Sequence, residues 1–296
     1  MYAIGLCVDE QYMLPALTML TSLADSLPPR TRRDVALRVL TLDLKQTQVN
    51  TMADLVKRLG FQSFDLRWCA PSKASCLSDA EYISITTYLR FQFTPAFVGR
   101  SHLVYVDTDV LITGDLSGPL SQLRTGHLGV VRDEFNPAVG ECPALPGLAE
   151  RWPHLRGRVY YNAGVLWTSV GLLATIRRGV EYALVQGRQH ILHNDQDALN
   201  MWLLASGRAQ PVAPDYNRFE VQRFLQRGDW VRRVVRRPLS TGADTVLLHF
   251  VGPEKPWQAE CPATEDVREY RAHLRRTVRY IHRLGDLSVE APGGAR

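Results

Sequence analysis

The sequence predicts an α/β protein built on a mixed, mostly parallel sheet flanked by helices. Three observations carry this. Short apolar runs alternate with amphipathic stretches through the first half of the chain. The run at 61–68 alternates with the period of a strand, while 13–27 has helix-like apolar spacing. Stop and turn signals bound some of the runs, Gly60 after a helix and Gly252-Pro253 after the last strand.

In order, "AIGLCVD" (3–9) reads as a strand and "MLPALTMLTSLADSL" (13–27) as a helix with an early proline. "VALRVLTLD" (35–43) is a strand, and "KQTQVNTMADLVKRLG" (45–60) a helix stopped by Gly60. "FQSFDLRW" (61–68) alternates as a strand should, and "SITTYLRFQFTPAF" (84–97) reads as a helix interrupted near Pro95. Residues 102–109 form the next strand. This βαβ rhythm implies parallel pairing with helices on the faces. Later strands are expected at 127–133, 160–168 and 244–251, and helices at 170–186 and 195–206, with a Pro- and Gly-rich loop at 136–158.

The chain has 296 residues, enough for one large α/β domain. No 18-residue apolar run is present, so a membrane-spanning helix is excluded. The start "MYAIGLCVDE" lacks the pattern of a secretory signal. Five scattered cysteines without a CxxC pair fit a reducing cytoplasm better than a disulfide framework or zinc site. The net charge of +5 is unevenly spread: 223–237 and 268–283 together carry +10, leaving the rest near −5. No nucleic-acid motif accompanies these charges.

Residues 102–112, "HLVYVDTDVLI", set two aspartates into an apolar strand. Carboxylates are rarely buried unless paired or bound to a metal. On an extended strand residues i and i+2 share a face, so Asp107 and Asp109 can converge at the carboxyl end of the sheet, where ligands bind. Two oxygen donors suit a hard cation, Mg²⁺ or Mn²⁺. A phosphatase of the haloacid dehalogenase type, with an aspartate nucleophile, uses a similar D-x-D pattern. Carboxylates satisfied by backbone N–H groups at a strand end are the third reading.

Five stretches occur in a fixed order: "YISITTYLRF" (82–91), "YVDTDVLI" (105–112), "YYNAGVLW" (160–167), "NDQDALN" (194–200) and "LHFVGPEKPW" (248–257), preceded by "VDEQY" (8–12). Together they resemble the retaining glycosyltransferases of family 8, which include bacterial lipopolysaccharide α-galactosyl- and α-glucosyltransferases and glycogenin. The resemblance implies a GT-A type nucleotide-diphospho-sugar transferase domain over residues 1–260, with 261–296 a basic C-terminal helical segment and tail. It implies a UDP-hexose donor, galactose or glucose, and a divalent cation, Mn²⁺ with Mg²⁺ as the variant. Asp107, Asp109 and His249 match the metal ligands. Asp9, Gln11, Tyr12 and Ile83 match positions that hold the nucleoside. Lys255 matches the lysine that approaches the diphosphate, with Gly252 letting the backbone come close, and Arg90 matches an arginine near the diphosphate and sugar. Asp133, Asn162 and Asp195 match positions that hydrogen-bond the donor sugar's hydroxyls, and Thr108, Ala163 and Gly164 complete the donor-binding set.

Gln196 matches the residue nearest the anomeric carbon, with Asp195 the alternative nucleophile beside it. Double displacement needs a carboxylate nucleophile. An amide is a poor one, so the resemblance implies front-face displacement. The acceptor would be a saccharide, a lipid-linked sugar or a small molecule. Val267, Tyr270, Leu274, Val278 and Ile281 recur at helical spacing beside Arg268, Arg271, Arg275 and Arg279. That face suits either an anionic membrane surface, placing the protein peripherally on the inner membrane face, or packing on the domain.

Overall fold

The structure, a computed structural model, describes residues 2–70, 85–224 and 244–283. Seven strands form one sheet in the order β3-β2-β1-β4-β7-β6-β8. They are β1 (Tyr2–Cys7), β2 (Ala36–Thr41), β3 (Ser63–Trp68), β4 (His102–Val106), β6 (Leu128–Arg132), β7 (Tyr161–Ser169) and β8 (Ala209–Pro211). β7 alone among these runs against its neighbours, pairing antiparallel with β4 and β6. β5 (Val110–Ile112), β9 (Arg218–Phe219) and β10 (Leu247–His249) form a second, three-stranded sheet.

Alternation within strands explains the two cores. Ile4, Leu6, Val39, Val104, Val106 and Trp167 face one side, where α1 (Met13–Ser26) and α3 (Gln46–Arg58) cover them. Leu103, Tyr105 and Leu166 face the other, under α6 (Leu173–Gln186) and α7 (Asn194–Ser206). Short helices α2 (Pro29–Asp34), α4 (Pro95–Val98) and α5 (Leu148–Arg151) serve as connectors.

Four expectations are corrected. The helix expected over 84–97 is a 3₁₀ turn, Ile85–Phe91, followed by α4, which starts at Pro95 with Thr94 accepting from Phe97 N–H. The strand expected over 102–109 ends at Val106. There the Asp107 N–H donates to Gly164 O, and the chain leaves for the second sheet through β5. The strand expected over 244–251 is only Leu247–His249, because the Phe250 N–H turns to Asp109 O. The loop at 136–158 contains α5 and a 3₁₀ turn at Pro153–Leu155.

The C-terminal helix, Glu265–His282, starts at Thr264, whose hydroxyl accepts from Val267 N–H. Val267, Tyr270 and Ile281 are buried, and Thr277 donates to Thr21 of α1. The apolar face is therefore spent on the domain and is not free for a membrane. Arg268, Arg275 and Arg279 face solvent, whereas Arg271 turns inward and donates to the carbonyls of Pro256, Gln258 and Cys261. Among the described residues, no helix is long and apolar enough to cross a membrane.

Candidate active site

The sheet order gathers the site. Asp9 follows β1, Asp107 follows β4 and Asp133 follows β6. Because β7 is antiparallel, its first residues, Asn162 to Gly164, lie beside the end of β4. The β6–β7 register also shifts between Val130, opposite Leu166, and Val131, opposite Asn162. Such bulges re-aim side chains and are frequent beside active sites.

Asp107, Asp109 and His249 each offer a ligand atom, all within 4.8 Å of one another. The two aspartates converge through the turn between β4 and β5, not through strand alternation. His249 ends β10, which pairs with β5, and this pairing carries the imidazole to the aspartates. Its Nε2 lies 3.3 Å from Asp109 Oδ1. Two carboxylates and one imidazole, close together at the mouth of a sheet, form a donor set that fits Mn²⁺ or Mg²⁺.

Positive charge surrounds the pair. Lys255 Nζ donates to Asp109 Oδ2 at 2.6 Å and to Phe250 O at 3.0 Å. Burial would raise the Asp109 pKa, but Lys255 and then His249 outweigh it and hold the carboxyl well below its usual range. Arg90 NH2 lies 3.2 Å from Asp107, and Arg90 Nε 2.9 Å from Asp195. Burial pulls the arginine pKa down, yet Asp107 and then Asp195 leave it above its ordinary value. Asp107 itself is pushed up, chiefly by burial, with Arg90 opposing, and it accepts from Tyr105 OH at 2.6 Å.

A second group sits at the start of α7. Gln196 Oε1 accepts from Asn162 Nδ2 at 2.9 Å and from Ala163 N–H at 3.0 Å, while Nε2 donates to Asp133 Oδ2 at 3.0 Å. Asp133 Oδ1 accepts from Phe135 and Asn136 N–H, and Oδ2 also accepts from Asn162. These four donors match the number of lone-pair sites of a carboxylate. Asp197 belongs to the helix start instead: it accepts from Leu192 N–H, His193 N–H and Tyr160 OH, each at 2.6 Å.

At the other edge, Asp9 accepts from Tyr12 N–H at 2.9 Å, and Tyr12 meets Trp257 edge to face with centroids 5.6 Å apart. Gln11 is exposed and Thr108 is buried. Gly252 has φ +85°, a conformation that favours glycine, at the start of the loop carrying Lys255. Ile83 lies outside the described residues.

Sequence reasoning missed three parts. Asn217, fully buried, bridges His249 and Asn162. Asn200 holds the backbone of Tyr161 on both sides. Arg223, also fully buried, pairs with Glu220 at 3.1 Å and donates to Val251 O under the Lys255 loop. Asn217 stands in "PDYN", which carries no motif, and Arg223 opens the basic run 223–237, whose only signal is its charge.

The fold is of the GT-A type, the class to which the sheet and its carboxyl-end site correspond. It is similar to the crystal structure of galactosyltransferase LgtC in complex with donor and acceptor sugar analogues. The TM-score is 0.71 with 20% identity, covering 93% of this chain and 95% of that one. The glycosyl transferase family 8 profile matches residues 3–261. The chain belongs to that family. It is 25% identical over 189 residues to lipopolysaccharide 1,2-glucosyltransferase of Escherichia coli, covering 62% of this chain and 53% of the relative. It is 26% identical over 193 residues to lipopolysaccharide 1,3-galactosyltransferase of Salmonella typhimurium, covering 58% and 49%. The chain thus spans about half the length of these two relatives. Family membership sets the phosphatase reading of Asp107 and Asp109 aside.

Proposed function

We propose that this protein transfers a hexose, galactose or glucose, from a UDP-sugar to an acceptor hydroxyl with retention of configuration. The observation that carries the reading is the convergence of Asp107, Asp109 and His249 beside Lys255. The named sugars of the two lipopolysaccharide enzymes support a hexose. Asp107, Asp109 and His249 would hold Mn²⁺ or Mg²⁺, and such an ion supplies charge neutralisation at a diphosphate leaving group.

The chain's own groups divide the remaining work. Lys255 adds a compact point charge on the loop that follows Gly252. Tyr12 and Trp257 offer aromatic surface for the base, with Asp9 behind Tyr12. Arg90 keeps Asp107 and Asp195 in register, its guanidinium lying 3.2 Å from the first and 2.9 Å from the second. Gln196 presents an amide whose oxygen already accepts two hydrogen bonds, and Asp195 is engaged by Arg90. The amide is a poor nucleophile, and the Asp195 carboxylate is ion-paired. This supports front-face displacement, in which the departing UDP oxygen takes the acceptor's proton while the sugar is held on its opposite face.

The test is UDP release from UDP-galactose and UDP-glucose, with Mn²⁺ and after its chelation, followed by NMR of the product's anomeric configuration. Metal-dependent UDP release with a retained anomer is the expected result. No UDP release from either sugar, or an inverted product, overturns the reading. The acceptor class, whether saccharide, lipid-linked sugar or small molecule, is then read from a panel.

A further inference from the structure

The hydrogen bonds behind His249 have a fixed direction. A backbone N–H cannot be turned round, unlike a side-chain amide. The Gly164 N–H donates to Asn162 Oδ1 at 2.8 Å, so that atom is the oxygen. Asn217 approaches the same oxygen at 2.8 Å and must present its NH₂ group there. Its other atom, Oδ1, then faces His249 Nδ1 at 2.9 Å. An amide oxygen at that distance requires a proton on Nδ1.

The consequence falls on the opposite ring nitrogen. With Nδ1 committed to Asn217, Nε2 is the ring nitrogen left to face Asp109 Oδ1, 3.3 Å away, and any cation the two aspartates hold. Close packing surrounds the ring. Phe219 packs edge to face against it with centroids 5.6 Å apart, and a Cβ on Gly164 would overlap its Cε1.

We propose that Asn217 is a positioning residue that sets the tautomer of His249, holding the proton on Nδ1 and presenting Nε2 to a divalent cation shared with Asp107 and Asp109. The inference rests on the metal reading above and assigns a residue that reading does not contain. Partners behind a ligating histidine fix its ring and raise its basicity, and their loss commonly costs about 10–100-fold in metal affinity. Asn217 also ties that end of the site to Asn162, and through it to Asp133 and Gln196.

The experiment titrates Mn²⁺ into the full chain with UDP present. It follows free Mn²⁺ by electron paramagnetic resonance, and imidazole coordination by the nitrogen coupling in pulsed spectra. Wild type is expected to bind Mn²⁺ with a histidine nitrogen coupled, which His249→Ala abolishes. Asn217→Ala is expected to lose about 10–100-fold in affinity and to weaken the coupling. Asn217→Asp keeps an acceptor for Nδ1–H and is expected to recover most of both. A purely structural role predicts the reverse for Asp, since a carboxylate would face Asn162 Oδ1. Asn217→Ser, too short to span both partners, answers the same question if the alanine variant does not fold. Wild-type affinity and coupling in Asn217→Ala overturn this inference and leave the metal site standing. Equal loss in the Ala and Asp variants also overturns it. Absence of Mn²⁺ binding in wild type overturns both.

Discussion

Arg90 and Asp195 form a buried ion pair, Nε to carboxylate 2.9 Å, with side chains only 4% and 6% exposed. The same guanidinium reaches Asp107 at 3.2 Å and donates to Ala163 O. One arginine thus joins the first turn of α7 to the turn after β4. Removing it strands two carboxylates, and breaking a buried pair costs about 3–5 kcal/mol. Arg90→Ala is expected to lower the urea midpoint by a corresponding amount and to reduce UDP release about a hundredfold, since misplacement of about 1 Å costs that much. Arg90→Lys should recover stability better than activity, because an ammonium cannot reproduce the fork.

Gly164 is small because His249 passes over it. A Cβ there would overlap His249 Cε1 and stand 3.0 Å from Asp107 Oδ2. Gly164→Ala is expected to displace the imidazole or the carboxylate, costing about 1–3 kcal/mol of stability and weakening Mn²⁺ binding. Thermal melting and Mn²⁺ titration check the two effects separately. An unchanged Mn²⁺ affinity would show that the overlap is relieved elsewhere.

Lys255 occupies one oxygen of Asp109 at 2.6 Å. It therefore competes with any cation that Asp109 binds. Lys255→Met is expected to leave Mn²⁺ affinity without nucleotide equal to wild type or tighter. The KM for the UDP-sugar should rise about tenfold or more, the loss of one hydrogen bond to a charged group. Steady-state kinetics and metal titration in the absence of UDP separate these outcomes.

His273 couples the docking of the C-terminal helix to pH. Burial lowers its pKa from 6.5, Arg276 lowers it further and Asp25 opposes. The unfolded chain then takes up the proton first, so this contribution to stability is full above pH 6.5 and falls as pH drops toward the lowered value. The stability advantage of wild type over His273→Asn is expected to shrink between pH 7.5 and 5.5, values chosen to bracket the ordinary histidine range of about 6.5. Urea midpoints of both proteins across that range check it.

The legible and illegible parts divide by the range of the interactions involved. β1, α1, β2, α3 and β3 announce themselves because burial of one strand face or helix stripe writes a local period into the chain. The aspartate pair is legible as chemistry, but strand alternation is not what brings it together. The chain instead turns at Asp107, whose N–H finds Gly164 O on an antiparallel neighbour. Nothing local marks that neighbour. Asn217 was illegible for the same reason: its partners, Asn162 and His249, lie on β7 and β10, and in sequence it is one polar residue in a proline turn. The C-terminal helix was legible as amphipathic, but which surface its apolar face meets depends on Thr21 and the rest of α1.

Gln196 is the position where structure and chemistry constrain each other most. Its amide fills a gap between two donors, Asn162 Nδ2 and Ala163 N–H, and one acceptor, Asp133 Oδ2. Gln196→Ala takes the acceptor from Ala163 N–H and one of two partners from Asn162 Nδ2 and Asp133 Oδ2, which still bond each other, at a cost of about 1–3 kcal/mol for a donor that stays dry. Water entering the gap would lessen that cost, so the stability loss is expected at the lower end. Transfer should slow by a larger factor, because the amide also fixes Asn162 and the start of β7. Under front-face displacement the variant has no intermediate to accumulate, and mass spectrometry of the enzyme after incubation with UDP-sugar should show the unmodified chain. A hexose attached to Asp195 would instead mean that freeing the neighbouring site released a carboxylate nucleophile from Arg90, and double displacement would replace the front-face route.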